Sequence, residues 1–369
     1  MPEATSKIRI GNWPGLVPLA LAGFLLALFG TYWDDAWHTD KGRDSFLAAP
    51  HIALYAGISL TGVALSVWAW LSARRVGIRA ALGHPLLAIA SVGVLVTLGG
   101  APVDNIWHEA FGRDAVVWSP PHMLGVAGTL AIAAGLLLEL APRAHTRGAL
   151  LPALVASAAV VAVGVIPVLE YETDVPQFDE AFYLPVLATG IAFSLGLARL
   201  ALGLRWAATA AALAYTGVMI LIATILVVAE MPAPLVPLIV VPAIALDLTA
   251  GRLGRPLTAA VLTTSLFAIY VPYLNWIKSD VFLDLDDALV GLPLAFLVSL
   301  LALILTAPPH ARSPRGGGLA GAAAALLLLL PGAAFGHDPG QGEELTTAAV
   351  TARATGETGS LRVDLSGSG

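Results

Sequence analysis

The chain has no cysteine among its 369 residues. That excludes disulfides, thiolate metal sites and cysteine nucleophiles together. Charge is scarce too, with Asp, Glu, Lys and Arg making up 12%. A typical soluble domain carries about a quarter charged residues, so this chain cannot clothe a water-facing surface. Only 4 methionines occur, Met1, Met123, Met219 and Met231, too few for a thioether ladder that would pass a soft metal inward. The formal net charge of −6 leaves no basic footprint for a nucleic acid. There is also no Walker loop, no dinucleotide-binding glycine fingerprint and no Ser/His/Asp set with a known spacing.

What fills the chain is apolar sequence. Hydrophobic residues make up 57%, and the mean hydropathy is +0.82. Runs long enough to span a bilayer recur from end to end. About eleven are visible: 14–33, 50–72, 86–103, 121–141, 150–169, 183–204, 207–229, 233–249, 257–277, 289–307 and 319–335. A backbone crossing lipid must satisfy its own hydrogen bonds, so these are expected helices. The class that follows is all-α, a polytopic membrane helical bundle. The eighth run carries Pro232, Pro234, Pro237 and Pro242 and is expected to be short, kinked or partly re-entrant. No nucleic-acid partner follows from this composition; membrane lipid does.

The charges orient the bundle. With the N-terminus inside, the cytoplasmic segments hold 13 of the 19 Lys and Arg and only 3 of the 25 acids. Retained basic residues set topology. The expected arrangement is N-in and C-out in the cell membrane, with the acid-rich loops extracytoplasmic. His84, His145 and His310 fall in basic cytoplasmic loops and read as solvated. Glu230, beside Met231 and Pro232 at the end of the seventh run, is the one acid at membrane depth that invites a functional test.

Two segments repeat one pattern. Residues 34–51 read DDAWHTDKGRDSFLAAPH, and residues 104–122 read DNIWHEAFGRDAVVWSPPH. Each has an Asp, a Trp-His with the His four residues after the Asp, an Arg-Asp pair, and a Pro-His. The pieces are Asp34, Trp37, His38, Arg43, Asp44, Pro50 and His51, then Asp104, Trp107, His108, Arg113, Asp114, Pro121 and His122. An i, i+4 spacing puts the Asp and the first His on one helix face. The second His starts the returning helix. One carboxylate and two imidazoles are a metal-ligand set that suits copper, zinc or non-haem iron. Arg43, Asp44, Arg113 and Asp114 are expected to orient the ligands. Trp37 and Trp107 are expected to line a cleft that the two hairpins share about a pseudo-two-fold axis.

The Asp-x3-His-x12-His pattern, with its WH, RD and PH pairs, resembles the copper-binding segment of the C subunit of the copper membrane monooxygenases, the particulate methane and ammonia monooxygenases. The resemblance covers about 20 residues, twice. It implies copper ligated by Asp34, His38 and His51 near the outer face. The second segment, with one extra residue, offers Asp104, His108 and His122. It also implies membrane or periplasmic copper-protein subunits as partners, and a part in oxygen-dependent oxidation. The family subunit is smaller, carries the segment once and adds a later Asn-x3-His pair that this chain lacks. A second reading is copper uptake, delivery or homeostasis without turnover.

Four regions are expected. Residues 1–142 hold the duplicated hairpins, and 143–315 hold further helix pairs. Residues 316–336 form a last helix or an internal signal-like segment, with basic flank, apolar run and small residues before His337. Cleavage there would make His337 a further metal ligand. The polar tail 337–369 reads as the start of a β-domain or as a disordered end.

Overall fold

The computed structural model describes residues 15–41, 45–111, 117–146, 148–172, 178–277 and 283–307, with the backbone alone at His108 and in two strands, 351–355 and 362–366. The chain forms two units, Met1–Leu330 and Pro331–Gly369. The first is helical. Among the described residues, nine helices are long and apolar enough to cross a membrane, as a multi-pass integral membrane protein requires. The expected eleventh span lies outside the described residues, as does His337.

The first four long helices make two antiparallel hairpins. One pairs α1 (Leu16–Lys41) with α2 (Ala49–Val76). After the short α3 (Ile78–Leu82), the other pairs α4 (Pro85–Phe111) with α5 (Pro120–Leu140). Both returning helices open on proline. Ala48 is extended before α2, and Ser119 is extended before α5, where its hydroxyl accepts from His122 N–H. Pro50 and Pro121 fall in first turns, where the missing N–H costs nothing.

Glycine sets how closely each hairpin closes. A Cβ on Gly57 would collide with Ala27 N and stand 2.6 Å from Gly23 O. A Cβ on Gly93 would stand 2.5 Å from Gly128 O. The helices therefore touch backbone to backbone. These glycines keep the same register as the polar segments: Gly23 to Gly93 and Asp34 to Asp104 are both 70 residues, and Gly57 to Gly128 and His51 to His122 are both 71. Gly57→Ala should force α1 and α2 apart and cost about 1–3 kcal/mol, as overpacking does. Thermal unfolding in detergent would show it as a lower midpoint; an unchanged midpoint would mean the crossing is slack.

Two further helices form the centre. α6 (Leu150–Val165) runs into a 3-10 turn, Ile166–Glu172, and α7 (Tyr183–Leu202) is buried along nearly its whole length. A helix apolar all round belongs inside. α7 ends at Gly203 in the left-handed region, φ 62°, where glycine carries no Cβ penalty. Tyr32 Oη donates to Ala162 O at 3.0 Å, tying α1 to α6. Trp118 Nε1 donates to Pro167 O at 3.0 Å, tying the start of α5 to the 3-10 turn. The outer helices instead leave apolar side chains bare, among them Val63, Leu95, Ile106, Ile220, Val228 and Val290. On helices of this length those faces suit hydrocarbon.

α8 (Ala207–Val228) is followed by a run without helix or strand, 231–239, and the ten-residue α9 (Val240–Thr249). Ten residues rise about 15 Å, half a hydrocarbon core. The proline-rich eighth span is thus part irregular chain and part short helix. Its prolines carry no N–H to leave unsatisfied, and Tyr273 Oη donates to Val236 O at 3.3 Å. Glu230 is exposed in the turn after α8 with φ 59°, so it is a turn residue rather than an acid inside the bundle. α10 (Arg255–Ile277) and α11 (Leu285–Leu305) are the last described helices of the first unit.

At the basic end, Asp247 of α9 has a side chain of 0% exposure and pairs with Arg199 of α7. It also accepts from Thr209 N and Thr209 Oγ1, both at 2.8 Å, and from Ala208 N at 3.4 Å. One carboxylate thereby caps the N-terminus of α8 and joins three helices.

The second unit contains a two-stranded antiparallel ribbon, β1 (Thr351–Thr355) with β2 (Arg362–Ser366), in register Thr351 to Ser366.

Candidate metal centre

Asp34 and His38 lie one turn apart at the C-terminal end of α1. Asp34 Oδ2 and His38 Nε2 are 3.7 Å apart. The first turn of α2 brings His51 back, with Nε2 at 3.2 Å from Asp34 Oδ1. One donor atom from each of the three lies within 4.8 Å of the others. Ligands around a tetrahedral ion with bonds of about 2.0–2.1 Å stand roughly 3.3 Å apart. The three groups need little movement to meet one ion. All three are half-buried, at 23%, 19% and 18% side-chain exposure.

The far nitrogen of His51 decides what the near one can do. Nδ1 stands 3.2 Å from Ser45 O. A carbonyl only accepts, so Nδ1 carries the proton and donates. In the neutral ring Nε2 is then a bare lone pair. It faces a carboxylate oxygen, Asp34 Oδ1, that is buried and meets no hydrogen-bond donor. Two acceptors at 3.2 Å repel unless a cation lies between them. A proton on Nε2 supplies one, and a metal ion supplies the other. This is the outer hydrogen bond that commonly orients a ligating imidazole.

The second segment repeats part of this. Asp104 Oδ1 and His122 Nε2 are 3.1 Å apart, with side chains 19% and 34% exposed. His108 sits one turn beyond Asp104 on α4. Pro102 interrupts the backbone ladder two residues before Asp104. The corresponding residue of the first hairpin is Tyr32, which is bonded to α6 instead.

One cavity of ≈ 170 Å³ receives both segments. Asp34, Asp35, His38, His51 and Tyr55 line it from the first hairpin, and Thr97, Asp104, His122 and Thr129 from the second. Ile166 and Leu169 close one wall. The shared cleft expected from the two hairpins is therefore present. Its expected tryptophan lining is not: neither Trp37 nor Trp107 is on its wall. Trp37 packs against the core with Lys41 Nζ 5.9 Å over its ring. Arg43, Asp44, Arg113 and Asp114 lie outside the described residues.

Several lining residues were not singled out from the sequence. Asp35 follows Asp34 directly, and its equivalent in the second segment is Asn105, so the repeat does not flag it. Thr31 and Tyr55 lie three residues before Asp34 and four after His51. Thr97 and Thr129 lie seven before Asp104 and seven after His122. Those are same-face helical spacings, and extending the ligand pattern by whole turns would have found them. Tyr55 stacks obliquely on His51, with ring centroids 5.8 Å apart.

His84 departs from its solvated reading. Its Nε2 stands 3.6 Å from Glu139 Oε2, and its ring lies 5.7 Å from Trp68. Burial, and then the Arg143 guanidinium, push its imidazole below the ordinary value. Arg143 in turn pairs with Glu139. His145 is exposed as expected, and His310 lies outside the described residues.

A scan against protein-family models, a search of curated proteins and a search of solved structures each found no match for the chain.

Proposed function

We propose that this chain is a membrane metal-binding protein whose Asp34, His38 and His51 hold copper at the extracytoplasmic face, in the manner of the copper membrane monooxygenase C subunit that the segment resembles. The observation that carries the reading is the meeting of one donor atom each from Asp34, His38 and His51 within 4.8 Å, at a buried carboxylate oxygen. Two nitrogens and one oxygen leave copper a coordination position for a small oxidant. The residues themselves orient the ligands and shape an apolar-walled cavity above them, through Leu54, Val126, Ile166 and Leu169. A place within a larger oxidising complex follows from the resemblance.

Passage of copper through the membrane is the weaker reading. Among the described residues, the polar residues buried as a whole are Ser and Thr, and the buried carboxylate of Asp247 is committed to Arg199 and Thr209 away from the cavity. The buried methionines Met219 and Met231 lie on and just beyond α8, away from the cavity wall. Among the described residues, no imidazole or carboxylate path leads inward from the site. A fixed centre fits this better than a conduit.

The test is metal analysis of protein purified from copper-supplemented cells, with zinc and iron measured together. Copper is expected in the wild type and is expected to fall in His38→Ala. Protein that retains zinc or iron in place of copper would refute the metal assigned. Protein that binds none of the three would refute the site.

A further inference from the structure

We infer that the cavity takes a second metal ion, held by Asp104 and His122 beside the first, so that the two hairpins build one two-metal centre. This rests on the proposed reading of Asp34, His38 and His51 as a metal site.

Three independent observations converge. The first is register. The offsets that relate Asp34 to Asp104 and His51 to His122 also relate the crossing glycines, Gly23 to Gly93 and Gly57 to Gly128. The carboxylate and the returning imidazole thus leave equivalent turns of equivalent hairpins. The same atoms meet, Oδ1 with Nε2, at 3.2 Å in one hairpin and 3.1 Å in the other. Whatever cation suits the first pair suits the second.

The second observation is charge. Asp34, Asp35 and Asp104 all line the cavity, and among the described residues no Lys or Arg does. Carboxylates gathered in a half-buried space at a membrane need compensation. One divalent ion leaves a carboxylate uncompensated. Two divalent ions cover all three, with room for a bound anion.

The third is space, and here the hairpins differ. Leu54 lines the cavity from the first hairpin, and its equivalent in the second is Gly125. A Cβ on Gly125 would meet nothing within 4 Å. The second position is the roomier one. It is where an exogenous ligand has the space to reach the metal, while the first is enclosed by Leu54 and by three protein ligands.

The experiment is a copper(II) titration of chelator-stripped full-length protein in detergent, read by bound-metal stoichiometry and by electron paramagnetic resonance. Wild type is expected to bind two equivalents and to give a spin-coupled, broadened spectrum at saturation. His122→Ala and Asp104→Asn should each bind one, with the spectrum of an isolated ion. His51→Ala should also bind one, at the second position. Gly125→Leu keeps every ligand, guards against misfolding as an explanation, and should lower occupancy at the second position alone. A wild type that binds one equivalent, lost in His51→Ala and kept in Asp104→Asn, would overturn the second ion and leave the first site standing. Two equivalents with two isolated spectra would overturn the shared centre. No bound copper in any form would remove both readings.

Discussion

Asp34→Ala should lose bound metal more completely than any other single substitution in the first hairpin. Asp34 offers both carboxylate oxygens, one toward His38 Nε2 at 3.7 Å and one toward His51 Nε2 at 3.2 Å. Its removal deletes a ligand and also the anion that draws the two imidazoles together. Loss of a partner that merely orients a ligand costs about 10–100-fold in affinity; loss of this ligand should exceed that range. Asp34→Asn keeps the shape and one oxygen, and should fall between wild type and Ala. Competition against a chelator of known affinity would rank the three. Equal affinities for Asn and wild type would show that the negative charge is not needed, which a cation site does not allow. Folding should survive, since the α1–α2 hairpin that Asp34 links through His51 is also held by the backbone contact of Gly23 with Gly57.

The largest stability effect is expected at the other end of the bundle. Asp247→Ala removes a fully buried carboxylate that serves Arg199, Thr209 and the first amides of α8. Breaking a buried pair from one side typically costs about 3–5 kcal/mol, because the remaining charge has lost its partner. Arg199 is 25% exposed and can recover some solvation, so the lower end of that range is the expectation. Asp247→Asn keeps acceptors for Thr209 and should cost less. Unfolding midpoints of the three proteins, measured with metal absent, would decide it. Metal affinity should be unchanged in folded Asp247→Asn, since the residue is not on the cavity wall.

The hairpins, and the candidate ligands that they bring to one cavity, were legible from residue order alone. A repeated Asp-x3-His places two groups on one helix face, and Pro-His marks the start of the return. The shared cavity was legible too, because parallel repeats tend to face each other. Asp35 and the lining threonines were less so. They carry no repeat signature, and their position follows only once the helical phase is extended past the ligands. His84 was read by its loop, yet Trp68 and Glu139 reach it from α2 and α5. Asp247 was only one of the three acids counted on the cytoplasmic side. Its role depends on three helices meeting, which no local pattern encodes. The eighth span was legible as irregular from its prolines, but the hydrogen bond from Tyr273 on α10 to Val236 O in that run was not.

The backbone contact at Gly23 and Gly57 bears on timing as well as on shape. Helices that touch main chain to main chain have no side-chain layer to slide on, so α1 and α2 have little freedom to part and rejoin around an ion. Capture and release are then set by the cavity mouth and by rotation of two imidazoles, motions that are fast beside the opening of a hairpin. Amide exchange along the middle of α1 and α2 should be slow and nearly the same with and without metal, and any change on loading should be confined to the turns around His38 and His51. A metal centre built this way would be ready before its ion arrives, and would select among ions by what its fixed spacing accepts.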